Sequence, residues 1–181
     1  IGQMMEKVKP FKHKPKSSYD TPWATTGKTP NRERNIIKSL RLDPNLQEQF
    51  NIKLQEKYKN IEQNEVRFEE IKCEDAEYLL VAYGTSARVC MKTLQLARDK
   101  GIKVGLLRPI TLFPYPYKAI QKLLPQLKGI LTVEMSAGQM LEDVRLAVEG
   151  KVKVAFHGRM GGQIPIPSDV LKHLEDSFNI K

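Results

Sequence analysis

Residues 129–150, GILTVEMSAGQMLEDVRLAVEG, decide the fold. An unbroken apolar run ends in the carboxylate of Glu134, then Ser136, Ala137 and Gly138 form a turn. From Gln139 onward Met140, Leu141, Val144, Ala147 and Val148 fall on one helical face. A run that is apolar at every position reads as a strand buried on both faces, and a strand that passes at once into a helix is the unit of an α/β protein. Such junctions build ligand sites and also subunit contacts.

The alternation extends both ways. KVKVAFHG (151–158) reads as the next strand, followed by the turn-rich GRMGGQIPIP and a closing helix with Ser168 as N-cap and Val170, Leu171, Leu174 and Phe178 buried. Upstream, YLLVAYG (78–84) and KVGLLRP (103–109) read as strands flanking a helix from Ser86 to Lys100. In that helix Ala87, Cys90, Met91, Leu94 and Ala97 share a face, and Gly101 ends it. After the proline-studded loop ITLFPYPYK comes a helix bearing Ile120, Leu123, Leu124 and Leu127, which Pro125 shortens. VRFEEI (66–71) is a short, charged strand suited to an edge. Its link to the next strand, Lys72 to Glu77, is too short for a crossover helix, so it runs antiparallel or sits apart from its successor. The expected fold is three-layer α/β/α around a five-stranded, mostly parallel sheet with an antiparallel first strand, preceded by a long helix.

Before residue 66 the pattern differs. Asp43-Pro44 marks a helix start, an N-cap acceptor followed by proline at the first helical position. Leu46, Phe50, Leu54, Tyr58 and Ile61 then form one narrow stripe, which must be laid on something in cis or in trans. Three regions result: a basic extended arm and loop (1–34), connecting helices (35–65) and the α/β domain (66–181). Trp23, alone in a loop rich in Ser, Thr, Pro and Gly, is expected to tuck into a groove of its own or of a partner domain.

The formal net charge of +9 is unevenly spread. Residues 1–41 hold ten Lys/Arg against three Asp/Glu, and the rest hold twenty against eighteen. The Lys-rich arm KVKPFKHKPKSS reads as a solvated connector or a strap across an acidic partner, and binding of a nucleic acid or another polyanion through it is the alternative. No run approaches the ~18 apolar residues of a membrane span. The chain starts at Ile1 without a signal-peptide pattern and reads as a portion of something longer. Cys73 and Cys90 lie 17 residues apart with no Cys-x-x-Cys, which supports neither a zinc site nor an iron–sulfur cluster and fits a reducing, cytoplasmic setting.

In a sheet of this kind ligands approach the carboxyl ends of the strands, which directs attention to Gly84-Thr85-Ser86, Arg108 to Thr111, Glu134-Met135-Ser136 with Gln139, and His157-Gly158-Arg159. Thr85 or Ser86 is expected to cap the helix that follows. No glycine-rich dinucleotide or P-loop pattern occurs. Glu134 with Arg108, His157 or Arg159 would form an acid–base group if they converged, but no nucleophile or metal partner stands at a recognisable spacing. Salt bridging, or capping of the next helix by Glu134 and Ser136, is the stronger reading. No catalytic residue and no metal ligand is assigned. Gly84, Thr85, Ser86, Arg108, Glu134, Ser136, Gln139 and Arg159 are candidate edge and interface residues, with Glu134 and Arg108 ordering the edge. His13 and His173 are expected to face solvent.

LLVAYGTSAR, GIKVGLLRPITLFPYP, GILTVEMSAGQMLEDVRLAV and FHGRMGGQIPIP, with RNIIKSLRLDPNLQEQFNIKLQEKYKNIEQNEVRFEE before them, resemble in order the carboxyl-terminal portion of the alpha subunit of 2-oxoacid:ferredoxin oxidoreductases. The ketoisovalerate and 2-oxoglutarate branches both fit. More loosely, the blocks are similar to the carboxyl-terminal domain of the transketolase superfamily. The resemblance implies a complex that oxidatively decarboxylates a 2-oxoacid with coenzyme A to an acyl-CoA, using thiamine diphosphate, magnesium and iron–sulfur clusters. The implied partners are a thiamine-diphosphate-binding beta subunit, gamma and iron–sulfur subunits, and ferredoxin. This chain has no Gly-Asp-Gly diphosphate motif and too few cysteines for a cluster, so no cofactor and no turnover are expected of it alone. Contact between the Gly84 edge and coenzyme A is a further reading.

Overall fold

The structure is a computed structural model that describes residues 10, 12, 21–28 and 30–180. Most of the Lys-rich arm, with His13, lies outside the described residues. Two compact units divide after Glu48, and each is taken by itself.

In the first unit, Ala24 N donates to Thr21 O at 2.9 Å and Arg32 Nη2 to Gly27 O at 2.6 Å. Asn35 Nδ2 reaches Pro22 O at 2.6 Å and Ala24 O at 3.2 Å. Trp23 is exposed, so it does not occupy a groove of its own loop, which closes through backbone carbonyls. Only part of residues 35–65 is helical; 35–43 carry no regular structure, and α1 spans Pro44–Asn64. Its start is as the sequence indicates, with Asp43 Oδ1 accepting from Asn45 N at 2.8 Å and Leu46 N at 3.1 Å.

The second unit is a five-stranded sheet in the order β1-β3-β2-β4-β5, formed by β1 (Phe68–Ile71), β2 (Tyr78–Ala82), β3 (Val104–Pro109), β4 (Gly129–Glu134) and β5 (Val154–Gly158). All neighbours are parallel except β1, which runs antiparallel to β3. Between the strands stand α2 (Gly84–Asp99), α3 (Tyr117–Leu123) and α4 (Gln139–Val148), and α5 (Pro167–Phe178) follows β5. Successive strand residues point to opposite faces. Leu79, Val81, Leu107 and Ile130 therefore enter one core with α3 and α4, while Leu80, Ala82, Leu106, Leu131 and Val133 enter another with α2 and α5. Both faces are dry, which is why β2 and β4 read as unbroken apolar runs.

The short link from β1 to β2 passes over β3. At Gly105 an added Cβ would meet Ala76 Cβ at 2.9 Å and Lys72 O at 3.0 Å, so glycine is what lets the link lie on the strand. Arg98 of α2 fastens it, through two bonds to the Asp75 carboxylate (2.9 and 2.8 Å), one to Lys72 O (2.9 Å) and one to Val104 O (2.8 Å).

Several expectations about helix ends and faces need correction. Ser168 does not cap α5: Pro167 takes the first helical position, which moves the N-cap to Ile166 and leaves Ser168 inside the helix. Neither Thr85 nor Ser86 caps α2. Gly84, at φ +55°, already begins the helix, so Tyr83 is the N-cap and gives no side-chain bond. Met91 is half exposed, because the buried face of α2 is turned toward Ser86 and Thr93, which join Ala87, Cys90, Leu94 and Ala97 on it. Pro125 does end α3, converting its last turn to a 3-10 turn over Leu124–Gln126.

Candidate functional site

Strand order reverses about β2, with β3 on one side and β4 on the other, so the carboxyl ends of β2 and β4 flank the switch point where α/β sheets place ligands. Glu134 is the last residue of β4 and is fully buried. Gly138, at φ +107°, turns the chain so sharply that the first amides of α4 face back onto that carboxylate. Glu134 Oε2 accepts from Ser136 Oγ at 2.6 Å and Met140 N at 3.1 Å, and Oε1 accepts from Leu141 N at 2.9 Å. A helix amino terminus and three donors hold this charge without a cation. Both oxygens are committed to the chain's own donors, which leaves neither placed to take a proton from a substrate.

Apart from Ser136, the side chains of the other candidates do not converge on Glu134. Arg108 stands opposite Glu69 in the antiparallel register and bonds its Oε2 at 3.0 Å, across the sheet edge and apart from Glu134. Arg159 donates its backbone N–H to Glu134 O at 3.0 Å, but its guanidinium turns to Gln163 Oε1 at 3.0 Å. Gln139 opens α4 and is exposed, Ser86 is buried in α2, and Thr85 is half-buried beside it. Topology thus gathers all eight at one edge, while the side chains split into separate local pairs.

Sequence reasoning missed two features. His173, expected in solvent, places its Nδ1 at 3.2 Å from His157 Nδ1, a bond that requires one ring to accept while the other donates. Burial, then the neighbouring His173, holds the His157 pKa below its ordinary value. The second feature is an apolar rim: Ile110, Leu112 and Phe113 after β3, Met135 after β4, and Met160, Ile164 and Ile166 after β5 are each between 40% and 61% exposed. Its signal in the sequence was the large apolar residues set among prolines and glycines in ITLFP and GRMGGQIPIP.

The residues present do not fit thiamine diphosphate with magnesium, or a cluster. Among the described residues no three His, Cys, Asp or Glu come together as metal ligands, and the one buried carboxylate is fully engaged. Burial pushes the Cys73 thiol up to about 11 and the Cys90 thiol up to about 12, far from the thiolate that metals and redox chemistry use. No helix among the described residues is long and apolar enough to cross a membrane.

The profile of the pyruvate:ferredoxin oxidoreductase core domain II family matches residues 76–170, more than half of the chain. The chain belongs to that family. Against the ketoisovalerate oxidoreductase subunit VorB of Methanothermobacter thermautotrophicus this core domain II chain is 45% identical over 182 residues, covering 97% of itself and 49% of VorB. It therefore spans about half the length of the curated relatives it matches most fully. In fold it is like the 2-oxoglutarate:ferredoxin oxidoreductase of Magnetococcus marinus, solved with 2-oxoglutarate, coenzyme A and succinyl-CoA bound. There the TM-score is 0.63 at 18% identity, over 76% of this chain and 24% of that one. A split-gene transketolase, an inactive beta4 tetramer, shares the fold with a TM-score of 0.55 at 14% identity, over 64% and 42%. The core domain II sheet, with its antiparallel first strand, thus has a transketolase-like fold.

Proposed function

We propose that this chain is the carboxyl-terminal part of the alpha subunit of a cytoplasmic 2-oxoacid:ferredoxin oxidoreductase of the ketoisovalerate type, and that its work there is assembly. The complex would oxidatively decarboxylate a branched 2-oxoacid with coenzyme A, releasing carbon dioxide and acyl-CoA, with electrons leaving through iron–sulfur clusters to ferredoxin. Thiamine diphosphate and magnesium would be held by sister domains and by the beta subunit, since the donor set here does not fit them. Identity to VorB along nearly the whole chain supports the branch. The observation that carries the assembly role is the carboxyl edge: its buried carboxylate is spent on α4, and its loops carry seven exposed apolar side chains. Single exposed apolar residues are ordinary, whereas several along one edge mark a contact surface.

The test is the double variant Phe113→Ser/Met160→Ser in the parent subunit, produced together with its sister subunits. Recovery of the sister chains should fall at least tenfold, about what loss of two anchor residues produces, while the variant's unfolding transition is unchanged. A complex recovered intact, with collapsed turnover, would make the edge catalytic and end the assembly reading.

A further inference from the structure

Residues 36–42, Ile-Ile-Lys-Ser-Leu-Arg-Leu, have no regular structure, yet both ends of the segment are fixed. On the amino side Asn35 is bonded to Pro22 O and Ala24 O. On the carboxyl side Asp43 is bonded to the first amides of α1. Between these anchors Ile36, Ile37, Leu40 and Leu42 are 64–84% exposed. A surface connector has no need of four large aliphatic side chains in seven residues, and solvated linkers are poor in them. In an extended chain alternate residues share a face, which sets Ile36, Leu40 and Leu42 together around Lys38. The similarity to VorB covers 97% of the chain, so the segment lies within the stretch that matches a protein itself named as a subunit.

Building on the assembly role proposed above, we infer that residues 36–42 are a docking strap received by a sister polypeptide of the same enzyme, in an apolar groove rimmed by carboxylates. The aliphatic face supplies the groove contact. Lys38, with Arg34 four residues before it, calls for carboxylates at the rim. A phosphate polymer would be met by cations without this aliphatic face, since backbone phosphates offer nothing for it to cover.

The experiment uses the parent subunit produced with its identified sister subunits, comparing Ile36→Ser/Leu40→Ser/Leu42→Ser, Lys38→Glu, and the Phe113→Ser/Met160→Ser edge variant. Complexes are resolved by size exclusion with each chain quantified, and thermal unfolding of every variant is recorded. The strap triple variant should lower sister-chain recovery by about tenfold or more with the unfolding transition unmoved. Lys38→Glu should weaken recovery less, and more at low salt than at high. Unchanged recovery with the triple variant overturns the strap, and if the edge variant still dissociates the complex, the assembly role survives without it. Three further results also overturn it: loss of a dimer of this subunit alone with sister recovery intact, loss of heparin binding through Lys38→Glu alone, or no sister chain recovered by the unaltered subunit. The last of these ends the assembly role as well.

Discussion

The two ends of the β-sheet are finished in opposite ways. At the amino end charges are answered from within: Glu77 bonds Lys128 and stands 3.6 Å from Lys103, Lys153 donates to Ser177 O at 2.7 Å, Lys100 meets Glu175 at 2.7 Å, and Arg98 ties the β1–β2 link with three bonds and β3 with a fourth. At the carboxyl end one carboxylate is sealed inside and the loops above it present aliphatic, thioether and aromatic groups to solvent. An end closed by its own ion pairs needs nothing further, whereas an apolar end is at its most stable when something covers it. The difference separates what folds this domain from what it offers to others.

That contrast is most easily broken at Glu134. Glu134→Ala leaves two amides and the Ser136 hydroxyl facing an apolar gap, and should destabilise the chain by about 3 kcal/mol in urea unfolding, with Glu134→Gln intermediate. A loss under about 0.5 kcal/mol would mean that α4 is held by its apolar face alone. Assembly should fail with Glu134→Ala before chemistry does, because the turn bearing Met135 loses its shape; intact complexes with collapsed turnover would refute that order.

Next in size is Arg98→Lys at the amino end. A single ammonium cannot replace a guanidinium that reaches a carboxylate and two carbonyls at once. The unfolding temperature should fall, by less than for Glu134→Ala, and hydrogen exchange should quicken over Lys72 to Ala76. Exchange unchanged in that segment would show the link to be held by its packing on Gly105 alone.

A smaller effect belongs to pH. Burial favours the neutral form of His157, with His173 and Asp169 on α5 and Arg159 on its own strand's exit as the charged or titratable groups around it. Its folded pKa lies below the unfolded value of about 6.5, so the unfolded state binds the proton more readily and stability drops as pH falls through that value. His157→Gln should flatten the unfolding temperature between pH 7.5 and 5.5. A slope left unchanged by the substitution would assign the dependence to other groups.

The smallest expected change in stability is for Phe113→Ser, within about 0.5 kcal/mol despite the size of the residue lost. Tyr58 meets Phe113 edge-on, ring centroids 5.9 Å apart, and most of the Phe113 ring is otherwise in solvent. A loss beyond about 2 kcal/mol would make Phe113 part of the domain's own core rather than of its offered surface.

The sheet was legible because β2, β3 and β4 are covered on both faces, and continuous burial writes continuous apolar runs. The antiparallel β1 was legible from link length, a matter of reach. What stayed hidden was partnership across sequence distance. Arg98 lies on α2 some 23 to 26 residues from the groups it fastens, and no periodicity names them. His157 and His173 meet only because α5 folds back against β5. The apolar rim was read as loop because prolines and glycines announce turns whatever stands between them. Capping was misjudged for a local reason: Gly84 and Pro167 set the first helical positions, so the hydroxyl residues after them fall inside.

The turn after β4 has a consequence for how fast and how tightly a partner can join. Glu134 accepts from Ser136 on the far side of Met135 and from the first amides of α4, so the Met135 side chain stands on backbone already immobilised before any encounter. Ordering a loop on contact would subtract from the free energy of association, and here that entropy has been surrendered during folding. A surface built this way can be recognised by collision, without waiting for a rearrangement, and its complexes should differ in lifetime more than in rate of formation.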